Sequence, residues 1–277
     1  MSIDVWVNGI AQDSVSAFDR GLAYGDGLFA TMRCSKQGVL FLDVHLARLA
    51  QSAQRLGIEW QPSSELLGLI QQVAERYVAD GGHDGCIKLL LSRGVGGRGY
   101  LPPNDALITE VLSVHDIPAH YRDWQAQGIT LQSNPVQLSR QPRLAGMKHL
   151  NRLEQVLLRS EPLNQDFDDW LVLDCQGNLV ESSMANIFFI KGKTVVTPAQ
   201  SHSGVAGVMR EQLFYYLIES GFNLECRDIA YAELTQFEQA LISNSLFGVV
   251  AIKRIDQIQY AMSDISRKIQ TDLSLSL

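Results

Sequence analysis

Apolar and polar residues alternate in several short stretches of the first hundred residues, which is typical of strands with one buried face. VWVNG predicts a strand that turns at Asn8-Gly9, and LFATMRCSKQGVLFL predicts two strands joined by the SKQG turn. Further strands are expected in GCIKLLLSRG and ALITEVLSVHD, on either side of the glycine-rich segment GVGGRGYLPPND. This part of the chain therefore predicts a sheet.

Helical spacing of apolar residues marks two segments among these strands. In DVHLARLAQSAQRLG the apolar positions recur every three or four residues, with Asp43 as a candidate cap at the start and Gly57 as a stop. SSELLGLIQQVAERYVADGG predicts a second helix. Strands and helices together indicate a mixed α+β domain.

A new series of elements begins after the segment IPAHYRDWQAQG. We expect strands in GITLQSNPV, DWLVLDCQGNLVESSMANIFFIKGKTVVTP, ALISNS and GVVAIKRI, a helix from about Asn151 and another in GVMREQLFYYLIESG. The pattern predicts an α/β (mixed α+β) protein in two domains, an N-terminal domain at residues 1–115, a linker at 116–122 and a C-terminal domain at 123–277.

Composition and charge narrow the function classes. The 277 residues are enough for two domains, and 46% hydrophobic with 19% charged residues indicates a folded chain. The net charge is −7 and the basic residues are scattered, so no nucleic-acid partner is expected. No stretch approaches the roughly 20 apolar residues of a membrane span, and the start lacks a signal-peptide pattern. We expect a cytoplasmic protein with no membrane partner.

Cysteine and histidine spacing gives no metal-binding motif. The four cysteines, Cys34, Cys86, Cys175 and Cys226, stand far apart without a CxxC pair, and the six histidines form no HExxH motif. We therefore predict reduced, mostly buried thiols and no metal.

One lysine differs from the others in its sequence surroundings. Lys148 stands between a loop and a predicted helix, among apolar neighbours such as Met147 and Leu150. A desolvated lysine has a lowered pKa and is a usable amine nucleophile, although an ordinary surface charge is the alternative. The remaining lysines fall in turns or the tail (Lys36, Lys191, Lys193, Lys268) or in strand patterns (Lys88, Lys253).

Two further features complement an amine. Gly204 and Gly207 lead into a predicted helix, where free backbone N–H groups can bind a phosphate, unless this is only a glycine turn. Glu181 ends a predicted strand and is followed by small residues, so its carboxylate could face a cleft or lie in a surface turn. A lysine, a phosphate site and a carboxylate for a pyridine nitrogen are together what pyridoxal 5'-phosphate requires. We predict that cofactor.

Seven segments in order also resemble a known family. FDRGLAYGDGLFATMR, HLARL, SRGVGGRGY, KHLNRLEQVL, DCQGNLVESSMANIFF, GVAGVMRE and ISNSLFGV are similar to the fold-type IV pyridoxal-phosphate enzymes, the D-amino-acid aminotransferase-like superfamily. KHLNRLEQVL, SRGVGGRGY and SNSLFG resemble the carbon–oxygen lyases of this family. Branched-chain and D-amino-acid aminotransferases share the frame and are the alternative, with a non-catalytic pyridoxal-phosphate carrier as a third.

The resemblance implies how the cofactor is held. Lys148 would carry it as a Schiff base and later act as the catalytic base, and Glu181 would bond the pyridine nitrogen. The phosphate would be bound by Arg48, by the hydroxyl of Ser245 and by two backbone amides, those of Val208 and Met209.

The resemblance also implies a substrate site and an assembly. Arg98 and Tyr100 would bind a substrate carboxylate, with Arg93 as the alternative arginine. Asn244 would contribute to substrate binding, and Thr31 would supply a hydroxyl that assists the leaving group. The family likeness implies a homodimer in which loops of one subunit close the site of the other.

Overall fold

The computed structural model describes residues 4–277, which fall into two units. The first unit contains the chain up to Ile117 together with Lys148–Asn151, and the second contains Pro118–Met147 and Arg152–Leu277. The predicted second domain includes Lys148, whereas in the structure the four residues from Lys148 group with the first unit. The reason is that the backbone of Lys148 and Leu150 is hydrogen-bonded to the backbone of Phe29 and Gly27.

The first unit is built on one antiparallel sheet of six strands. Its strands are β1 (Val5–Val7), β2 (Ile10–Ala11), β3 (Gly27–Ser35), β4 (Gly38–Val39), β5 (Gly85–Val95) and β6 (Leu107–Asp116). Its helices are α1 (Arg20–Tyr24), α2 (Leu42–Arg55) and α3 (Ser64–Gly81). The strand order is β2-β1-β6-β5-β3-β4, so the long strands β3, β5 and β6 form the centre.

Alternation along β3 sets which face of this sheet is covered. Leu28, Ala30 and Met32 are almost fully buried, while Phe29 and Thr31 between them are half-buried. Helices α2 and α3 pack against β3 and bury apolar residues such as Leu49 and Ile70. The opposite face of the sheet carries Phe29 and Thr31.

The start of α2 differs from the prediction. Asp43 was expected to cap this helix, but the N-cap is Phe41, which has a φ of 54° and makes no side-chain cap bond. Asp43 lies in the first turn, where its charge still complements the helix dipole. The predicted end is confirmed, because Gly57 follows the helix with a φ of +67°.

The second unit contains a mixed sheet of nine strands. Its strands are β7 (Ile129–Ser133), β8 (Asp169–Leu173), β9 (Leu179–Ser182), β10 (Asn186–Lys191), β11 (Thr194–Pro198), β12 (Asn223–Arg227), β13 (Gln239–Asn244), β14 (Gly248–Ile255) and β15 (Ile258–Gln259). Its helices are α4 (His120–Gln127), α5 (Leu153–Ser160), α6 (Val208–Glu219) and α7 (Ile265–Asp272), with a 3-10 turn at Tyr231–Gln236. The path runs β12-β11-β10-β13-β14-β7-β8-β9, and β15 pairs with β14.

The core of the second unit forms around its central strands. Phe188 and Phe189 of β10 and Ile242 of β13 are completely buried. Helix α6 adds Leu213 and Leu217 to this core, which fixes where the helix begins relative to the sheet. The loop before α6 is therefore attached to a rigid base.

The structure also bears on the expectations for the cysteines, for membrane-spanning helices and for metal ligands. Cys34 and Cys86 are buried, but Cys175 and Cys226 are exposed, so the expectation of mostly buried thiols holds for only half of them. Within residues 4–277, no helix is both long and apolar enough to cross a bilayer. Over the same residues, no three His, Cys, Asp or Glu side chains are grouped as metal ligands.

Candidate active site

The backbone around Lys148 pairs with the N-terminal part of strand β3. The backbone N–H of Phe29 donates to the carbonyl oxygen of Lys148 at 2.9 Å, and that of Leu150 donates to the carbonyl oxygen of Gly27 at 2.9 Å. The side-chain amide of Asn151 donates to the carbonyl oxygen of Gly25 at 2.9 Å. The lysine backbone thus extends the sheet of the first unit by a short added segment.

The ammonium group of Lys148 lies over an aromatic ring. Its Nζ atom is 4.6 Å from the ring centroid of Phe29, and the side chain is half-buried. Lys88 lies over the same ring at 5.1 Å and pairs across the sheet with Thr31. Phe29 and Thr31 are two residues apart on β3 and share one face. The structure therefore brings Lys148 and Thr31, both predicted site residues, to the same face of the first sheet.

Helix α2 contributes a second positive group to this neighbourhood. Arg48 stands three residues after His45, so the two side chains share a helix face. Burial lowers the pKa of His45 well below its usual value, and the charges of Arg48 and Lys148 lower that pKa further. His45 is only 1% exposed, and among the described residues neither ring nitrogen has a hydrogen-bond partner. A neutral imidazole therefore faces the charges of both predicted cofactor-binding residues.

The two candidate substrate arginines have different surroundings. Arg98 and Tyr100 are exposed on the loop between β5 and β6, as the prediction requires of side chains that bind a substrate. Arg93 is 7% exposed and donates both to the carboxylate of Asp26 and to the carbonyl oxygens of Leu56 and Gly57. Four hydrogen bonds within the first unit thus occupy Arg93, which favours Arg98 as the substrate arginine.

In the second unit, Glu181 is a buried carboxylate near the end of β9. It is 8% exposed, and its Oε2 accepts a hydrogen bond of 2.9 Å from the backbone N–H of Val205. Burial lowers the pKa values of Arg152 and Arg210, and the charge of Glu181 opposes that effect in both. These two guanidinium groups provide the positive charge that a buried carboxylate needs. Sequence reasoning missed both arginines, although each lies in a segment that carries the family resemblance.

The loop before α6 is fixed by its own backbone and by Asn186. Gly146 donates to the carbonyl oxygen of Gly204 at 3.0 Å, and Ala206 donates back to Gly146 at 2.9 Å. The side chain of Asn186 donates to the carbonyl oxygen of Val205 at 2.7 Å and accepts from the N–H of Gly207 at 3.1 Å. Four hydrogen bonds therefore hold the loop at the predicted anion site.

Both predicted glycines are packed too tightly for a side chain. A Cβ atom at Gly204 would lie 2.7 Å from the Cγ1 atom of Val180, and one at Gly207 would clash with Oδ1 of Asn186. Gly207 is the N-cap of α6, so the first helical N–H groups, those of Val208 and Met209, have no acceptor within the helix. Such N–H groups at the positive end of a helix can bind a phosphate.

Asn244 is the last residue of β13, and Ser245 follows it in the turn to β14. The Oδ1 atom of Asn244 accepts hydrogen bonds of 2.9 Å from the N–H groups of Leu246 and Phe247. Its amide nitrogen donates to the carbonyl oxygen of Met184 at 3.5 Å. Asn244 therefore shapes the turn that carries Ser245, and its role in substrate binding stays a prediction.

Each unit by itself carries groups of the kind that pyridoxal 5'-phosphate requires. The first unit contains an amine in Lys148 and a guanidinium in Arg48. The second contains the buried carboxylate of Glu181 and the N–H groups at the start of α6. The glycines at residues 204 and 207 let this loop pack closely against Val180 and Asn186.

Residues 27–255 match the class IV amino-transferase family, and the chain belongs to this family. Its members have the fold-type IV architecture and depend on pyridoxal phosphate. The predictions of the fold, of an enzyme of this family and of its cofactor are therefore confirmed.

Individual relatives include both lyases and aminotransferases. The chain is 34% identical over 273 residues to the aminodeoxychorismate lyase of Vibrio harveyi, with 97% of this chain and 99% of the relative covered. A crystal structure of 4-amino-4-deoxychorismate lyase from Pseudomonas aeruginosa is 36% identical with a TM-score of 0.88, covering 99% of this chain and 100% of that one. The D-alanine aminotransferase of Listeria monocytogenes is 24% identical, with 90% and 84% covered. The predicted resemblance to the lyases of the family is confirmed.

Proposed function

We propose that this chain converts 4-amino-4-deoxychorismate into 4-aminobenzoate and pyruvate, a step of folate biosynthesis. The observation that carries the proposal is the similarity to two lyases over almost the full length of the chain, at higher identity than to the D-alanine aminotransferase. The exposed arginine-bearing loop of the first unit is consistent with this, because the substrate carries two carboxylates.

The proposal assigns the cofactor contacts to named residues. Lys148 would hold the cofactor as a Schiff base, and Glu181 would accept a hydrogen bond from the pyridine nitrogen. The phosphate would be held by Arg48, Ser245 and the amides of Val208 and Met209.

The residues divide the reaction between them. When bound, pyridoxal phosphate supplies an electron-poor ring that accepts negative charge from the substrate. The amine of Lys148 would take the proton from the substrate's C4 atom. The bond between C3 and the ether oxygen then breaks, and the hydroxyl of Thr31 donates a proton to the departing enolpyruvate. Loss of this group makes the six-membered ring aromatic, and the enol becomes pyruvate.

Arg98 and Tyr100 orient the substrate in this proposal. A guanidinium binds a carboxylate through two parallel N–H groups, which fixes direction as well as position. Their exposed side chains have room for a ligand, whereas the guanidinium of Arg93 is occupied by Asp26.

The proposal includes a homodimer and a cytoplasmic location. Large apolar side chains near the loop between β5 and β6 are exposed, among them Phe18 at 75%, Tyr100 at 86%, Leu101 at 87% and Leu107 at 83%. Exposed apolar groups of this size are typical of a surface that another protein covers. Sedimentation of the purified protein as a monomer at micromolar concentration would contradict this part of the proposal.

Product analysis tests the reaction. We expect pyruvate and 4-aminobenzoate in equal amounts from aminodeoxychorismate, with no 2-oxo acid required. If D-alanine or a branched-chain amino acid instead converts the cofactor to its amine form faster than pyruvate is released, the chain is an aminotransferase. A protein that binds the cofactor and turns over neither kind of substrate is a carrier.

Peptide mapping tests the lysine. Hydride reduction should fix the cofactor irreversibly to Lys148 in the yellow holoenzyme. Lys88 is the internal control, since it lies over the same Phe29 ring. A label on Lys88 would overturn the assignment while leaving the reaction class open to the product test.

A further inference from the structure

The loop that carries Arg98 and Tyr100 is held by one buried arginine. Arg20 donates from Nη1 to the carbonyl oxygen of Gly99 and from Nη2 to that of Tyr100, both at 3.0 Å. Arg20 is 3% exposed, and its Nε donates to the carboxylate of Asp26 at 2.9 Å. All three bonds are charge-assisted, and two of them end on the backbone of the loop.

Tyr24 adds contacts to the same part of the loop. Its hydroxyl accepts a hydrogen bond of 3.2 Å from the N–H of Gly99, and its ring packs edge-on against the ring of Tyr100 at 5.5 Å. The guanidinium of Arg20 lies over the ring of Tyr24 at 4.9 Å. Helix α1 contains both Arg20 and Tyr24, and it therefore contacts the loop at Gly99 and Tyr100.

Asp26 fixes the direction of Arg20. It also binds Arg93, which holds the carbonyl oxygens of Leu56 and Gly57 and makes no bond to the loop residues Gly99 or Tyr100. Burial raises the pKa of Asp26, but hydrogen bonds from Arg93 and Arg20 outweigh burial and hold it below its usual value. Two arginines thus share one ionised carboxylate, and only Arg20 reaches the substrate loop.

The loop also has a glycine, Gly96, at the point where it packs against Arg20. A Cβ atom at Gly96 would lie 2.5 Å from the Cδ atom of Arg20, whereas a Cβ atom at Gly97 would meet nothing within 4 Å. Neither glycine has a positive φ that would exclude alanine. Gly96 is thus a packing requirement for the arginine, while Gly97 is not.

We propose that Arg20 is a positioning residue, which fixes the backbone of Gly99 and Tyr100 so that the side chains of Arg98 and Tyr100 meet the substrate carboxylate. This inference rests on the proposed function for the substrate contacts. Three glycines, Gly96, Gly97 and Gly99, give this segment many possible backbone conformations. The charge-assisted bonds from Arg20 to two successive carbonyl oxygens restrict these conformations.

The first test compares Arg20→Lys with Arg93→Lys in the holoenzyme. Both variants keep a positive charge beside Asp26 but lose the several N–H donors of the guanidinium. Only Arg20→Lys thereby loses hydrogen bonds to the backbone of the loop, those to Gly99 and Tyr100. We expect faster amide hydrogen exchange at residues 97–100 and a KM for aminodeoxychorismate raised roughly 10-fold in Arg20→Lys, with kcat within about twofold. Cofactor absorbance should stay unchanged. In Arg93→Lys, exchange at residues 97–100 should match that of the wild type.

A second pair keeps the inference testable if Arg20→Lys does not fold. Gly96→Ala displaces Arg20 without changing any charge, and Gly97→Ala stiffens the same loop by the same amount. We expect Gly96→Ala to raise loop exchange and KM, and Gly97→Ala to raise neither.

Three outcomes overturn the inference: unchanged loop exchange in Arg20→Lys, equal effects of the two lysine variants, or equal effects of the two glycine variants. Failure of the proposed function is a separate result. If the wild type releases no pyruvate from aminodeoxychorismate, the substrate assignment fails, while the exchange comparison still decides whether Arg20 orders the loop.

Discussion

Replacing Gly207 with alanine tests whether the loop before α6 binds the cofactor phosphate. Gly207 has φ −70° and ψ 145°, values that alanine adopts without strain. The whole effect should therefore come from the added Cβ atom, which would clash with Oδ1 of Asn186. Asn186 is 4% exposed, so its side chain has little room to move aside.

The size of the effect follows from the hydrogen bonds of Asn186. Moving this side chain breaks its bond from the N–H of Gly207, at 3.1 Å, and its bond to the carbonyl oxygen of Val205, at 2.7 Å. At about 0.5–1.5 kcal/mol each, the loss is about 1–3 kcal/mol. If the ordered loop is required for binding, the Kd for pyridoxal phosphate should rise about 5- to 150-fold.

Titration of the apoenzyme with pyridoxal phosphate, followed by absorbance, measures this change. Asn186→Ala and the double variant complete a cycle, in which Gly207→Ala should cost much less once Asn186 is already truncated. Gly68→Ala is the control, because Gly68 is exposed in α3 with nothing within 4 Å of the added carbon. It should leave the Kd unchanged and raise stability by up to about 1 kcal/mol. A Kd within twofold of the wild type in Gly207→Ala, together with a lower melting temperature, would refute the phosphate assignment.

Three other substitutions test the remaining site residues. Arg48→Ala should weaken cofactor retention on dialysis roughly 10- to 100-fold while preserving the fold, since one charge-assisted bond to phosphate is lost; unchanged retention would mean that Arg48 only packs. Glu181→Gln should keep the cofactor attached but slow pyruvate release in single-turnover assays severely, because a neutral partner no longer favours a protonated pyridine; a normal rate would contradict this role. His45 should make stability depend on pH, because its folded pKa lies below the unfolded value of 6.5. As the pH falls below 6.5, only the unfolded chain gains the proton, so up to about 1.4 kcal/mol of stability per pH unit is lost until the folded pKa is reached. His45→Gln should remove this part of the slope in urea unfolding, and an identical slope would show that His45 does not cause it.

Elements with complete local signals could be predicted from the sequence. For α3, Ser63 caps the first turn through a bond to the N–H of Leu66, and Gly82 ends the helix at a φ of +67°. Both signals are carried by residue types that have this role in most proteins. The start of α2 could not be predicted in this way, because it depends on a left-handed Phe41, a conformation that phenylalanine rarely adopts.

Two helices of the second unit lie in segments where no helix was predicted. Helix α4 begins at His120, inside the segment predicted as a linker, and is held by the packing of Tyr121 and Trp124 against Phe247. Helix α7 lies in the segment interpreted as a tail, and Gln270 donates from its side chain to the carbonyl oxygen of Val249. Long-range contacts stabilise both helices, and a local pattern does not contain such contacts.

The candidate site also combines residues that local sequence signals identify with residues that only long-range contacts identify. Gly204 and Gly207 could be identified because a glycine turn before a helix is a local feature of the backbone. Arg152 and Arg210 could not, because their relation to Glu181 joins residues that are 29 positions apart on each side. Charge partners of buried groups are set by the fold, so the sequence predicts the carboxylate but not the arginines that balance it.

Arg93 and Arg98 are the same residue type but differ in burial. They stand five positions apart in one segment and carry the same charge, so the sequence left both as candidates. Arg93 sits opposite Asp26, which is within reach only because β3 and β5 pair from Gly27 and Ser92 onward. A guanidinium whose donors are satisfied inside the protein gains little from a ligand carboxylate, because it would have to break those bonds first. The register of one strand pair therefore places Arg93 in hydrogen bonds within the protein, which is the reason for proposing Arg98 as the substrate arginine.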